Sequence, residues 1–287
     1  VFFKKKRRKE LAKQALLIKE SLLVHEYHHA SYQLKPLIQS DKIAEQPVVV
    51  SLTSYSKRIY DVYLVLESIA QQTVKPNRVI LWLAEDELTA DELPVTLKQR
   101  LDFGLEVRFC PDTRSYKKIV PTLELCPESI VITLDDDIIY PHDTIENLLR
   151  EHQKYPQAIL GNRAHEITFE KGKVQPYKHW NKEVSQQSDH LFLTGCGAIL
   201  YPPGSLSQAV TDQSLFMQLC PHADDIWLYV MAKLQGTEIR KAQGRCFKHF
   251  IQIANNQDNG LNKLNVDRGR NDSQLKAVLN HFNYSLR

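Results

Sequence analysis

The chain is 287 residues long, 43% hydrophobic and 25% charged, with a formal net charge of +3. That is the composition of an ordinary soluble globular protein, long enough for one large α/β domain or two small ones. Six cations fall together at Lys4 to Lys9, so the remaining chain carries −3, and a mildly acidic body excludes a nucleic-acid-binding surface spread over the fold. No run of about 18 apolar residues exists to span a bilayer, and Val1-Phe2-Phe3 followed at once by cations is not a secretory signal. The five cysteines, Cys110, Cys126, Cys196, Cys220 and Cys246, are odd in number and widely spaced, without a C-x-x-C pair. They fit reduced thiols in the cytoplasm. A first residue other than Met points to a processed chain or to an excerpt from a longer one.

From Lys4 to about Leu37 the pattern is helical, with Leu11, Ala15, Ile18, Leu22 and His25 or Glu26 along one side, as in a helix that packs on the body or on a partner. Its basic run alone suits an anionic membrane face. After a polar linker ending at Pro47, Val48 to Leu52 read as a buried strand, followed by the loop TSYSKRI and by a helix that Asp61 would cap, with Val62, Val65, Leu66 and Ile69 on one face. A strand at Val79 to Leu83, a helix around Leu93 to Phe103 stopped by Gly104, a strand at Leu105 to Phe109 and a helical piece from Tyr116 to Leu125 come next. Strands alternating with helices predict βαβ units and a mostly parallel sheet. The second half is less regular: a strand-like Leu191 to Tyr201, a helix from about Ala223 to Leu234, a strand near Glu238, the stretch CFKHF, a long polar loop, and a last helix from Ser273 to Phe282.

The stretch IVITLDDDIIYP, residues 130 to 141, concentrates the chemistry. Ile130 to Leu134 form a β-branched run without polar alternation, as in a strand covered on both faces. Asp143 and Glu146 then make a D-x-x-E capping box for a helix through Tyr155. In open α/β sheets ligands bind beyond the carboxyl ends of the strands, which is where Asp135, Asp136 and Asp137 would lie. Three adjacent like charges raise one another's pKa unless a cation or a set of donors compensates them.

A buried strand ending in D-x-D within a nucleotide-binding-type half, then TGCGAILYPP, then an acidic ADDIW helix start, resembles the GT-A-fold glycosyltransferases, and among them bacterial enzymes of capsule and lipopolysaccharide synthesis. The resemblance covers Pro47 to Asp272. It implies a Rossmann-like, mostly parallel sheet flanked by helices, with 47–165 the nucleotide-sugar-binding half and 166–287 the acceptor-binding half of one domain; residues 1–46, a basic helical extension, lie outside the resemblance. It further implies that Asp137 coordinates Mn²⁺ or Mg²⁺, that Asp135 faces the ribose and sugar and shares in the metal, that Asp136 lies between them, and that His249 is a late metal ligand. Hard divalent cations suit such oxygen donors.

By the same resemblance Asp225 is the base of an inverting transfer and Asp224 a helix cap or acceptor-hydroxyl ligand. Thr53, Tyr55 and Arg58 would contact nucleobase and ribose, Lys117 or Lys118 would stand near the donor, and Lys263, with Arg268 and Arg270, would close over the pyrophosphate. Gly195 and Gly197 would admit backbone close to sugar or acceptor, or else serve a β-bulge. Tyr177 and Trp180 offer either a sugar-stacking platform or a local minicore, and Trp227 reads as core. The implied partners are a nucleotide-sugar, a UDP-sugar first, and a glycan or lipid-linked glycan at the inner face of the plasma membrane. Two other readings stand beside this one: a metal-dependent nucleotidyltransferase, which would need a glycine-rich phosphate loop that TSYSKRI lacks, and a catalytically inactive assembly subunit.

Overall fold

A computed structural model describes residues 2–182, 184, 186–244, 250–253 and 269–286. Its centre is a strand set that the β-branched runs dictate: β1 (Val48–Thr53), β2 (Arg78–Ala84), β3 (Leu105–Cys110) and β4 (Ile130–Thr133). β1 lies between β2 and β4 in parallel register, Val50 opposite Val79 on one side and Ile132 on the other, and β3 extends β2. The sheet is completed by β6 (Ile159–Gly161), β11 (Ile199–Tyr201) and β12 (Ile239–Lys241), in the order β12-β6-β11-β4-β1-β2-β3. Only β11 runs antiparallel to its neighbours within these seven. The fold is thus the expected mostly parallel α/β sheet.

Alternation along β1 divides the core. Val48, Val50 and Leu52 face a cluster built with α1 (Phe2–Ser31), α2 (Val62–Ala70), α3 (Val95–Leu101) and α5 (Thr144–Lys154), while Val49 joins Ile80, Trp82 and Cys126 on the opposite face. A second large cluster holds α6 (Gln213–Leu219), α7 (Asp224–Gln235) and α8 (Arg270–His281), with Ile159, Ile199 and Ile239 of the sheet. A short α4 (Val120–Leu125) precedes β4. The described cysteines, Cys110, Cys126, Cys196 and Cys220, are free thiols.

Four expectations need correction. α1 ends at Ser31, not near Leu37; Leu34 takes φ +47° and Pro36 cannot continue a helix. Its packed side is Leu23, Val24 and Tyr27, whereas Leu11, Ile18 and Leu22 are 57%, 62% and 65% exposed. The run Leu191 to Tyr201 is not one strand: β10 (Leu191–Leu193) leaves the main sheet to pair with β7 (Ala164–Glu166), and a 3₁₀ turn at Gly195–Gly197 separates it from β11. Finally, Asp61 and Asp143 occupy N-cap positions without capping through their side chains. Glu146 accepts from Thr73 Oγ1 at 2.6 Å instead of closing a capping box.

Candidate active site

Because β1 and β4 are parallel, their carboxyl ends share one edge, and the loop after β1 meets the acidic turn after β4 there. The turn is pinned from several sides. The Asp135 backbone N–H donates to Tyr140 Oη at 2.8 Å. β5 (Ile138–Ile139) pairs antiparallel with β13 (Ile251–Gln252), and Ile253 N–H donates to the Asp137 carbonyl at 2.8 Å.

The three carboxylates have separate environments. Asp136, 4% exposed, accepts from Ser54 Oγ at 2.7 Å and from Arg58 Nη1 at 2.8 Å. Burial raises its pKa, opposed by Arg58 and Ser54. A buried charge met by a cation and a hydroxyl is a tie between two loops, so Asp136 anchors the turn. Asp137 stands 3.3 Å from the same Arg58 Nη1, and its carboxyl is pushed up to about 7 by burial and by the charge of Asp135, with Arg58 opposing. Asp135 accepts from Lys118 Nζ at 2.8 Å.

Lys118 joins this turn to a second acidic centre. Buried at 6% exposure, it lies 3.2 Å from Asp224 Oδ2 at the start of α7, an ion pair without an aligned hydrogen bond. Burial alone would lower its pKa, yet Asp135, Asp224 and Asp225 outweigh it and hold the ammonium charged. Asp225 accepts the Gly195 N–H on both oxygens, at 3.0 and 3.1 Å. Its carboxyl is pushed up to about 7, first by burial and then by Asp224, while Lys118 and the Gly195 N–H pull the other way. A carboxylate with a pKa near neutrality can exchange a proton at physiological pH.

The glycines are explained by this proximity. A Cβ on Gly195 would meet Lys118 Nζ at 2.9 Å and Asp225 Oδ1 at 3.0 Å, and one on Gly197 would meet Arg163 Cβ at 2.6 Å and its nitrogen at 2.8 Å.

Other expected residues are placed as follows. Thr53 Oγ1 donates to the Trp82 carbonyl at 2.8 Å. Tyr55 is exposed at the same edge, its ring centroid 5.3 Å from the Arg58 guanidinium. Lys117 pairs with Asp112, which separates it from Lys118. Tyr177 and Trp180 are buried with rings 4.7 Å apart and packed on Phe192, a minicore. Trp227 is fully buried. Arg270 begins α8, while His249, Lys263 and Arg268 lie outside the described residues. Sequence reasoning missed Ser54 and Tyr140, which no motif singles out, and Arg163, whose Nη1 donates to Cys196 Sγ at 2.8 Å beside the Gly195 turn.

Neither a protein-family model nor a curated protein matches the chain. Solved structures do. One is the mannosyltransferase PcManGT from Pyrobaculum calidifontis in complex with GDP-Man and Mn²⁺, at 16% identity and TM-score 0.35 over 51% of this chain and 45% of that one. Another is TarS 1–349 of S. aureus, at 16% identity and TM-score 0.45 over 70% of this chain and 59% of that one. The chain thus matches about half of each of these two structures.

Among the described residues no group of three or more His, Cys, Asp or Glu is arranged to hold a metal ion. Within the acidic turn Asp135 is paired with Lys118 and Asp137 lies 3.3 Å from Arg58, yet burial and the charge of Asp135 still raise the pKa of Asp137. Two neighbouring hard oxygen donors, one of them with a pKa still raised in the presence of Arg58 and Lys118, fit a small divalent cation, which commonly takes one or two carboxylates and fills its shell with phosphates and water.

Proposed function

We propose that the chain is a metal-dependent, inverting glycosyltransferase that moves a sugar from a nucleotide-sugar, a UDP-sugar first among candidates, to a glycan or lipid-linked glycan acceptor in capsule or lipopolysaccharide synthesis. One observation supports the reading: Lys118 bridges Asp135 of the acidic turn to Asp224 of the α7 start, so that the two acidic centres share one buried cation. In this reading Asp225, oriented by the Gly195 N–H, removes the acceptor hydroxyl proton, and Asp224 holds an acceptor hydroxyl. Thr53, Tyr55 and Arg58 border the nucleoside, with Lys118 beside the diphosphate.

Asp135 and Asp137 would hold Mn²⁺ or Mg²⁺, with His249 as a further ligand and Lys263 near the phosphates. The ion when bound supplies Lewis-acid neutralisation of the departing nucleoside diphosphate. The basic run Lys4 to Lys9 suits an acceptor borne on the inner face of the plasma membrane. No helix among the described residues is long and apolar enough to cross a membrane.

The test is incubation with a panel of nucleotide-sugars and Mn²⁺, following nucleoside diphosphate release with and without lipid-linked and free glycan acceptors. Release that depends on acceptor supports the assignment. Pyrophosphate release from nucleoside triphosphates, with none from nucleotide-sugars, would favour a nucleotidyltransferase instead.

A further inference from the structure

We infer that α1 lays an outward apolar stripe on an anionic lipid surface. Of the eleven large hydrophobic side chains exposed among the described residues, five lie on this one helix: Leu11, Leu16, Leu17, Ile18 and Leu22. At 3.6 residues per turn, Leu11, Ala15, Ile18 and Leu22 fall within a sector of about 60°. Tyr27, which buries against the body, points roughly 180° away from Ile18. Leu16 and Leu17, 51% and 47% exposed, continue the packed side of Leu23 and Val24 one heptad earlier, so the body covers neither side of the helix at that level, and the outward stripe from Leu11 to Leu22 is the apolar face that runs furthest along it; an exposed apolar face of this kind marks an interaction surface.

The far end of the helix is locked. Arg100, 1% exposed, donates to the Lys35 carbonyl at 2.9 Å and to the Ser31 carbonyl at 3.4 Å while paired with Glu67. His28 Nδ1 and Tyr63 Oη lie 2.7 Å apart. With Ser31 to Lys35 tied to the body, the stripe is held in a fixed orientation.

Charge identifies the occupant. α1 carries eight Lys or Arg against three Glu, and Arg7 and Arg8 are exposed at the N-terminal end of the stripe, flanking it. A second copy of the chain fits poorly: continued toward the N-terminus, the 4-3-4 spacing puts Arg8 and Lys4 into the seam. Parallel pairing would set two six-cation runs together, and antiparallel pairing would set the run against His25 to His29, where Glu26 is the one acid. On an anionic bilayer the same cations meet lipid phosphates while Leu11, Ile18 and Leu22 enter the boundary between headgroups and acyl chains. The inference goes beyond attraction of the basic run and does not depend on the reaction catalysed, since binding is read without donor or acceptor.

The experiment is cosedimentation of the full chain with phosphatidylcholine vesicles and with vesicles also containing phosphatidylglycerol. It compares the parent, Leu11→Gln/Ile18→Gln/Leu22→Gln, and the control Leu101→Gln/Leu125→Gln, whose positions are exposed elsewhere. Gln is nearly as good a helix former as Leu, so an unchanged circular dichroism spectrum and melting midpoint are expected of the triple variant. The parent and the control should pellet with anionic vesicles, less as salt rises, and the triple variant should partition roughly tenfold more weakly or worse. Equal partition of parent and triple variant, or equal binding to neutral vesicles, overturns the inference. So does a parent that is dimeric without lipid while the triple variant is monomeric, which would make the stripe an interface between copies.

Discussion

Asp225 and Gly195 are joined by a two-oxygen acceptance of one backbone N–H, at 3.0 and 3.1 Å. The bond fixes the carboxylate of a helix start against a glycine turn where a Cβ would crowd the Lys118 ammonium and the Asp225 carboxylate. Asp225→Asn retains the acceptor oxygen for that N–H but cannot take a proton. Donor binding should persist and transfer should fall by on the order of 10²-fold or more. Asp224→Asn should fall less. Full activity in both variants would contradict an inverting mechanism with a base here.

Gly195→Ala tests the same contact from the other side. The added methyl meets the Lys118 ammonium at 2.9 Å and the Asp225 carboxylate at 3.0 Å, so the end of Lys118, Asp225 or the turn must shift. Misplacement of a reacting group by about 1 Å can cost around 10²-fold in rate. Loss of kcat with little change in donor Kd is expected; unchanged kcat would show that the turn does not position the base.

The strands of this fold were readable because β-branched runs such as VVVSLT and IVIT are buried on both faces, a condition that composition alone expresses. The helical period of α1 was equally readable, but periodicity does not say which side meets the body, and the structure packs Tyr27 while leaving Ile18 outside. LFLTGCGAILY gave no sign of its break, since the Gly195–Gly197 turn answers to Arg163 and Asp225, distant in sequence. The division of labour in the acidic triplet was illegible for the same reason. It depends on Arg58 and Lys118, 78 and 17 residues from their partners.

Arg58→Met should destabilise the fold. It strands Asp136, a carboxylate 4% exposed with its second donor only a hydroxyl. Breaking a buried pair from one side costs about 3–5 kcal/mol, and half or more of that is expected here because the loop after β1 borders solvent. Adding Asp136→Asn should recover part of the loss in urea unfolding. No recovery would mean that Arg58 acts through other contacts.

Stability should also depend on pH through Asp225. Its carboxyl titrates at about 7 when folded and at about 4 when unfolded. Between those values the folded chain holds a proton that the unfolded chain has released, so this group makes stability fall as pH rises. Asp225→Asn removes the effect, and its stability relative to the parent should rise by roughly 1–3 kcal/mol between pH 4 and pH 8. Urea unfolding of both proteins at the two pH values reads the difference; a constant offset would place the Asp225 carboxyl near its ordinary pKa.

In the proposed mechanism a divalent cation joins the acidic turn to a nucleoside diphosphate. Calorimetric titration of the parent and of Asp137→Ala with UDP and with GDP, each in Mn²⁺ and in chelator, tests it most directly. The parent should bind at least one of the two diphosphates in Mn²⁺, chelator should abolish the binding, and Asp137→Ala should not bind in either condition. Equal affinity with and without the cation, or undiminished binding by Asp137→Ala, would contradict it.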